Sequence, residues 1–149
     1  YPMKVSQALL DTSISDPEQA LKMINVFSRS TLAPPPSALG PGTWVYDANL
    51  ALGRRVIRSN PRVNVFHRGF KACNSYLGGE AAMRALSSPV LFILGAQDQM
   101  TPPKAAQSLI QAAKDSGKNV HVHTVPVGHH QMTESPDETL FALARFLNS

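Results

Sequence analysis

The C-terminal part of the chain alternates short apolar runs with amphipathic stretches. Residues 89–95 read Pro-Val-Leu-Phe-Ile-Leu-Gly, a continuous apolar run that is typical of a strand buried on both faces of a parallel sheet. Residues 120–125 are rich in β-branched side chains and predict a second strand. Between these runs, Thr101 and Pro102 predict the start of a helix that Gly117 ends.

A further helix is predicted at the C-terminal end of the sequence. Residues 135–138 read Ser-Pro-Asp-Glu, which has the pattern of a capping box with proline in the first turn. The order strand, helix, strand, helix predicts a right-handed parallel unit of an α/β fold. The apolar residues at helical spacing are expected to form the buried stripe of this last helix: Leu140, Phe141, Ala144, Phe146 and Leu147.

Residues 1–87 have a different pattern, with helical periodicity interrupted by loops rich in proline and glycine. Ser15-Asp16-Pro17-Glu18 predicts a helix start, because a capping oxygen precedes a proline and an acidic residue. Residues 33–43 carry four prolines and cannot form a helix or a central strand. Helices are expected over about 47–58 and 62–77, with a short one around Ala81 to Leu86, and no strand is expected here.

Composition narrows the function classes. The chain has 149 residues, 43% of them hydrophobic, which suits one globular domain rather than a disordered segment. Its net charge of +4 comes without any nucleic-acid-binding motif, and its longest apolar runs are too short to span a bilayer, so neither nucleic acid nor membrane is an expected partner. A single cysteine, Cys73, excludes an internal disulfide and favours a reducing compartment such as the cytoplasm.

Two candidate catalytic side chains follow the predicted strands. Asp98 comes three residues after Gly95, and His129 directly follows Gly128. Functional side chains of parallel sheets gather beyond the carboxyl ends of the strands, and neighbouring strands lie about 4.8 Å apart. An acid and a histidine placed there can form a pair in which the imidazole acts as a general base. The spacing alone is also compatible with a turn aspartate and a partly exposed loop histidine.

The two strand-end segments together resemble a known family. Residues 91–103, Leu-Phe-Ile-Leu-Gly-Ala-Gln-Asp-Gln-Met-Thr-Pro-Pro, and residues 125–137, Val-Pro-Val-Gly-His-His-Gln-Met-Thr-Glu-Ser-Pro-Asp, are similar to the acid-bearing and histidine-bearing segments of α/β-hydrolases. The resemblance implies a partial α/β-hydrolase fold, with a helical cap over residues 1–87 and a β-α-β-α core over 88–149. It further implies a cofactor-free, bacterial-type esterase or related enzyme that cleaves an ester, thioester or carbon–carbon bond of a small acyl substrate.

The resemblance also implies roles for individual residues. Asp98 matches the triad acid and His129 the triad base, and His130 is the alternative base because the two histidines are adjacent. In the resembling enzymes a cap closes over the site and sets acyl specificity. The apolar residues that could line such a pocket, or could equally be ordinary helix packing, are Met3, Trp44, Phe66, Phe70 and Tyr76.

The nucleophile of this family is not found in the sequence. The family carries it in a Gly-x-Ser-x-Gly elbow, and no such motif occurs here. The nearest candidate, Ser75, lacks the first glycine and a preceding strand. Since position 1 is not Met, the expectation is a C-terminal fragment that supplies acid and base and is inactive alone. The expected partner is the missing N-terminal half, or a second copy paired across an exposed sheet edge.

Two other functions stay open at this point. His121 and His123 alternate along the second strand and therefore share a face, so that together with Asp98 they could bind zinc. Alternatively, the chain is a non-catalytic binding or assembly module that retains part of a hydrolase fold. Stoichiometric zinc would favour the first alternative, and a homodimer that does not react with a fluorophosphonate would favour the second.

Overall fold

The computed structural model describes residues 3–29 and 45–149, except the side chain of Val45. Within these ranges the residues form two compact units. Residues 3–26 and 45–77 make up the helical unit, and residues 27–29 and 78–149 make up the sheet unit. The predicted loop over 33–43 lies outside the described residues, and the division expected after residue 87 stays a prediction.

The helical unit is built from four helices, the second of which runs on to Ser28. Asp16 Oδ1 accepts a hydrogen bond of 3.0 Å from the Gln19 amide and so caps the second helix, as the sequence predicts. The Ser13 hydroxyl lies 3.0 Å from His67 Nδ1 and links the first helix to the fourth. These helices are α1 (Gln7–Ser15), α2 (Pro17–Ser28), α3 (Val45–Ser59) and α4 (Val65–Ser75).

The sheet unit contains two parallel strands joined through a helix, which confirms the predicted β-α-β-α order. The strands pair in register from Val90 opposite Val120 to Gly95 opposite Val125, so that they end side by side. Val125 and Ala113 are completely buried between the sheet and the connecting helix. The elements are α5 (Gly79–Ala85), β1 (Val90–Gly95), a 3-10 turn (Pro103–Ala106), α6 (Gln107–Asp115), β2 (Val120–Val125), α7 (Gln131–Glu134) and α8 (Pro136–Leu147).

Both predicted helix caps in this unit are wrong. The Thr101 hydroxyl does not cap α6, because it bonds to the Asp98 carboxylate and a 3-10 turn precedes the helix. Ser135 makes no side-chain cap at α8. Glu138, the expected second member of that capping box, lies 3.3 Å from His123 Nε2 instead. A bond within the Asp98–Thr101 loop takes the Thr101 side chain, and a contact with β2 takes that of Glu138.

The predicted buried stripe of α8 is also wrong. The buried positions are Thr139 and Ala142, whereas Leu140, Phe141 and Leu147 are 60–77% exposed. Apolar residues occur nearly all around α8, and such a helix is typical of burial from more than one side. Among the described residues, α8 packs mainly against α7, β1 and β2. In the same ranges, no helix is long and apolar enough to cross a bilayer.

Candidate catalytic site

The site lies where the two parallel strands end. Gly95 closes β1, and the loop after β2 passes so close that a Cβ at position 95 would overlap the Gly128 carbonyl oxygen and lie 2.8 Å from that of Val127. Two backbone bonds join the loops, from the Ala96 amide to the Val125 carbonyl (2.8 Å) and from the Gln97 amide to the Val127 carbonyl (3.0 Å). The missing side chain of Gly95 therefore allows the two strand-end loops to meet.

The Asp98 carboxylate is held from several directions. Oδ1 accepts hydrogen bonds of 2.8 Å from the amides of Met100 and Thr101. Oδ2 accepts a bond of 2.9 Å from the Thr101 hydroxyl and lies 2.8 Å from His129 Nδ1. The side chain is only 3% exposed, so its orientation is fixed by these four partners.

This geometry determines which nitrogen of His129 carries the proton. Oδ2 of an ionised carboxylate can only accept, so a 2.8 Å approach requires a hydrogen on Nδ1. The Thr101 hydroxyl, 3.1 Å from Nδ1, gives its own hydrogen to Asp98 and can only accept from the ring. Nε2 of the neutral imidazole is then left with its lone pair. A ring held in this form is suited to take a proton from a nucleophile.

The surroundings of Asp98 favour its ionised form. Burial by itself raises the pKa of the carboxyl, but the hydrogen bonds from the Thr101 amide, from His129 and from the Thr101 hydroxyl outweigh it. The pKa of Asp98 is therefore lowered from its usual value of 3.8. Asp98 remains the charged partner of His129 over the whole range in which an imidazole titrates.

Thr101→Val tests this hydrogen-bond network. The variant should raise the pKa of Asp98 towards its usual value and lower the free energy of unfolding at neutral pH by about 1 kcal/mol. A lowered carboxyl pKa stabilises the fold above the unfolded-state pKa, and this contribution is lost as the pH falls through the folded-state pKa. The stability gap between wild type and variant should thus narrow below about pH 4, as measured by urea unfolding at a series of pH values.

Thr124→Val on β2 provides the matched control for that measurement. It makes the same chemical change at an exposed position of the sheet, away from Asp98. We expect any stability gap between this control and wild type to stay constant as the pH falls. A gap for Thr101→Val that is equally insensitive to pH would contradict the network.

The loop that carries His129, residues 126–130 between β2 and α7, is called the histidine loop and is held by several hydrogen bonds. The His129 amide donates to the Ser28 carbonyl at 2.9 Å. With its amide oriented to satisfy both ends, the Gln131 side chain donates to the His129 carbonyl (2.6 Å) and accepts from the Gly95 amide (3.1 Å). Glu134, which is buried, accepts from the amides of Gly128 and His130.

His130 lies beside the pair rather than in its place. Its ring centroid is 5.9 Å from that of His129, and the side chain is half-buried. Burial and the neighbouring charge of His129 lower the pKa of His130. Between the two adjacent histidines, it is the ring of His129 that meets the Asp98 carboxylate at 2.8 Å.

Comparisons with known proteins establish the fold. Three solved structures match at a probability of 1.00: a thermophilic esterase (19% identity, TM-score 0.65), an esterase from Exiguobacterium antarcticum (13%, 0.64) and homoserine O-acetyltransferase from Bacillus anthracis (18%, 0.57). They cover 99%, 95% and 98% of this chain. The chain has part of an α/β-hydrolase fold.

The chain covers only part of each matched structure. The chain spans about half the length of these structures, namely 52%, 47% and 48% of the matched chains. No protein-family model matches the sequence. No curated protein matches it either. At 13–19% identity, the likeness shows the α/β-hydrolase fold and not the activity of the chain.

The remaining described residues that the sequence singles out lie in the helical unit. Phe66 and Phe70 contact each other along α4 with ring centroids 6.4 Å apart, Met3 is half-buried and Tyr76 is 44% exposed. Trp44 lies outside the described residues. Ser75 donates to the Lys71 carbonyl at 3.0 Å from the end of α4, where it is not held in a strand-to-helix elbow.

The histidines of β2 do not form a metal site with Asp98. His121 packs edge-on against Phe146 with ring centroids 5.4 Å apart, and His123 faces Glu138. Throughout residues 3–29 and 45–149, no three His, Cys, Asp or Glu side chains cluster in a way that could hold a metal ion. Both histidines instead line a cavity of about 330 Å³ between the sheet and α8, to which neither Asp98 nor His129 contributes. Among the described residues, the contact between Asp98 and His129 at the strand ends (2.8 Å) is shorter than that between Glu138 and His123 (3.3 Å).

Proposed function

We propose that Asp98 and His129 are the acid and the base of a serine hydrolase that cleaves a small acyl substrate, with the serine supplied by polypeptide outside these 149 residues. The observation that carries the proposal is the 2.8 Å contact between Asp98 Oδ2 and His129 Nδ1, which leaves Nε2 with a free lone pair. Two of the matched structures are esterases and the third is an O-acetyltransferase, and each of these names denotes acyl chemistry.

The reaction would proceed by acyl transfer to the serine. His129 Nε2 takes the hydroxyl proton as the serine oxygen attacks the carbonyl carbon of an ester or thioester. The resulting imidazolium is stabilised by the Asp98 carboxylate and returns the proton to the departing alcohol or thiol when the carbon–oxygen or carbon–sulfur bond breaks. Water then attacks the acyl-enzyme with the same proton transfers, releasing the acid and restoring the serine.

Several observations support a nucleophile that lies outside these 149 residues. The chain contains no Gly-x-Ser-x-Gly elbow, and Ser75 sits at a helix end. The family order places the nucleophile before the acid, and the matched structures are about twice as long as this chain. The 149 residues alone are therefore proposed to be inactive. The cap role of residues 1–87, pocket contacts from Met3, Trp44, Phe66, Phe70 and Tyr76, and a cytoplasmic location belong to the same proposal.

The test is to express the chain together with its natural upstream reading frame. We expect a Gly-x-Ser-x-Gly elbow there, labelling of its serine by a fluorophosphonate, and hydrolysis of p-nitrophenyl acetate that is lost when that serine is changed to alanine. The 149-residue chain alone should not be labelled. A frame without a nucleophile, or hydrolysis that survives loss of the serine, would contradict the proposal.

A non-catalytic assembly module is the second candidate, favoured by the apolar surface of α8. Leu140 and Leu147 are 66% and 77% exposed, which suits contact with another polypeptide. A serine hydrolase completed by its N-terminal half would cover such a surface as well. A stable homodimer of the purified chain, together with no fluorophosphonate labelling of the longer product, would favour the module.

A further inference from the structure

Glu134 stands out as a buried carboxylate next to the histidine loop. The residue is 7% exposed, and its two oxygens accept from different backbone amides. Oε2 is 3.2 Å from the Gly128 amide, and Oε1 is 3.3 Å from the His130 amide. Burying a carboxylate costs free energy unless it is hydrogen-bonded. The two amides compensate for this cost, and in turn the carboxylate fixes the position of the loop.

The His130 amide belongs to the peptide group directly after His129, and the Gly128 amide belongs to the peptide group between Val127 and Gly128. The peptide group between these two carries the His129 amide, which donates to the Ser28 carbonyl at 2.9 Å. Because Glu134 holds the outer two of three successive peptide groups, it restricts the direction in which the Cα–Cβ bond of His129 points. A third bond completes the clamp, because the Glu134 amide donates to the His130 carbonyl at 2.8 Å. The His129 ring is 35% exposed, so its own packing restrains it only in part.

We propose that Glu134 is a positioning residue, which holds the backbone around His129 so that Nδ1 stays on the Asp98 carboxylate. The proposal rests on the proposed function for its catalytic meaning, but the contact it predicts exists in the chain by itself. The carboxylate needs both of its acceptor oxygens for this role. Glutamine keeps the shape of the side chain and offers one acceptor, so that its NH₂ group would face a backbone N–H.

Proton NMR of the chain carrying Glu134→Gln tests the role. We expect the Gly128 or His130 amide to exchange with solvent about tenfold faster than in wild type, since a bond to a charged acceptor is lost. The Nδ1 proton of His129, which a merely structural residue would not affect, should also exchange about tenfold faster. If Glu134→Gln does not give native far-UV circular dichroism, the same exchange rates are measured in Glu134→Asp. That variant keeps the charge but is one methylene too short to reach both amides.

Glu138→Gln is the matched control, because Glu138 is the next acidic helix residue facing the sheet and contacts His123 rather than the loop. It should leave all three exchange rates unchanged. Equal His129 Nδ1 exchange in wild type and in the folded Glu134 variants would overturn the positioning role alone. Absence of a His129 Nδ1 proton signal in wild type would instead contradict the Asp98–His129 pair and with it the proposed function.

Discussion

Changing His129 to alanine in the nucleophile-bearing polypeptide should lower kcat for p-nitrophenyl acetate by about 10⁶-fold, close to the loss of the entire triad. Without the imidazole, the serine proton has no acceptor, since Asp98 is turned towards Thr101 and is 3% exposed. KM should change far less than kcat, because proton transfer to the imidazole belongs to the chemical step. Steady-state kinetics with a long assay time can measure the difference.

His123→Ala is the control for this loss. His123 lies on the preceding strand and faces Glu138, so its removal should change kcat by no more than about twofold. If His129→Ala retained more than about one per cent of the wild-type kcat, the imidazole would not be the base in the sense of a triad. A large loss in His130→Ala with little loss in His129→Ala would assign the base to the neighbouring residue.

Changing Gly95 to alanine should lower the free energy of unfolding by at least about 3 kcal/mol. The new methyl group would overlap the Gly128 carbonyl oxygen, a backbone atom of a loop that hydrogen bonds to Ala96 and Gln97 hold at the end of β1. This overlap is relieved only if the histidine loop moves away from the end of β1. Such a movement also separates His129 from Asp98. Urea unfolding followed by circular dichroism measures the first effect, and activity of the nucleophile-bearing polypeptide measures the second.

Gly69→Ala is the matched control for that change. Gly69 lies inside α4, and a Cβ there meets no atom within 4 Å. The same substitution should therefore raise the free energy of unfolding by about 0.5–1 kcal/mol, through better helix propensity. A Gly95→Ala chain as stable as wild type would show that the two strand-end loops do not approach as closely as described.

The sequence predicts the two strands of the sheet unit well because their signals are local. Residues 120–125 form a strand with the predicted bounds, since β-branched side chains at alternate positions favour extended backbone. The apolar run before Gly95 likewise becomes β1. Once two parallel strands are known to be neighbours, the residues just beyond their carboxyl ends are close in space, and this brings Asp98 and His129 to one place.

The parts that the sequence does not predict depend on tertiary contacts. Thr101 has the pattern of a helix cap, but its hydroxyl bonds to Asp98 and lies 3.1 Å from His129 Nδ1, a ring that only the fold brings close. Ser28 supports His129 from about a hundred positions away along the chain through its carbonyl oxygen, a group that every residue carries. Glu134 follows His129 by five positions, and a helical reading gives no reason for its carboxylate to turn back to the loop. The exposed face of α8 is missed because periodicity shows which residues are apolar, but not what covers them.

The tautomer of His129 in the neutral chain tests the central claim most directly. Nitrogen-15 chemical shifts of the ring distinguish Nδ1–H from Nε2–H, and the measurement needs neither nucleophile nor substrate. We predict Nδ1–H in wild type, with a shift towards Nε2–H in Asp98→Asn, because the amide nitrogen can no longer accept from the ring. A wild-type ring protonated on Nε2, or a tautomer that does not respond to Asp98→Asn, would contradict the claim that Asp98 prepares His129 to act as a base.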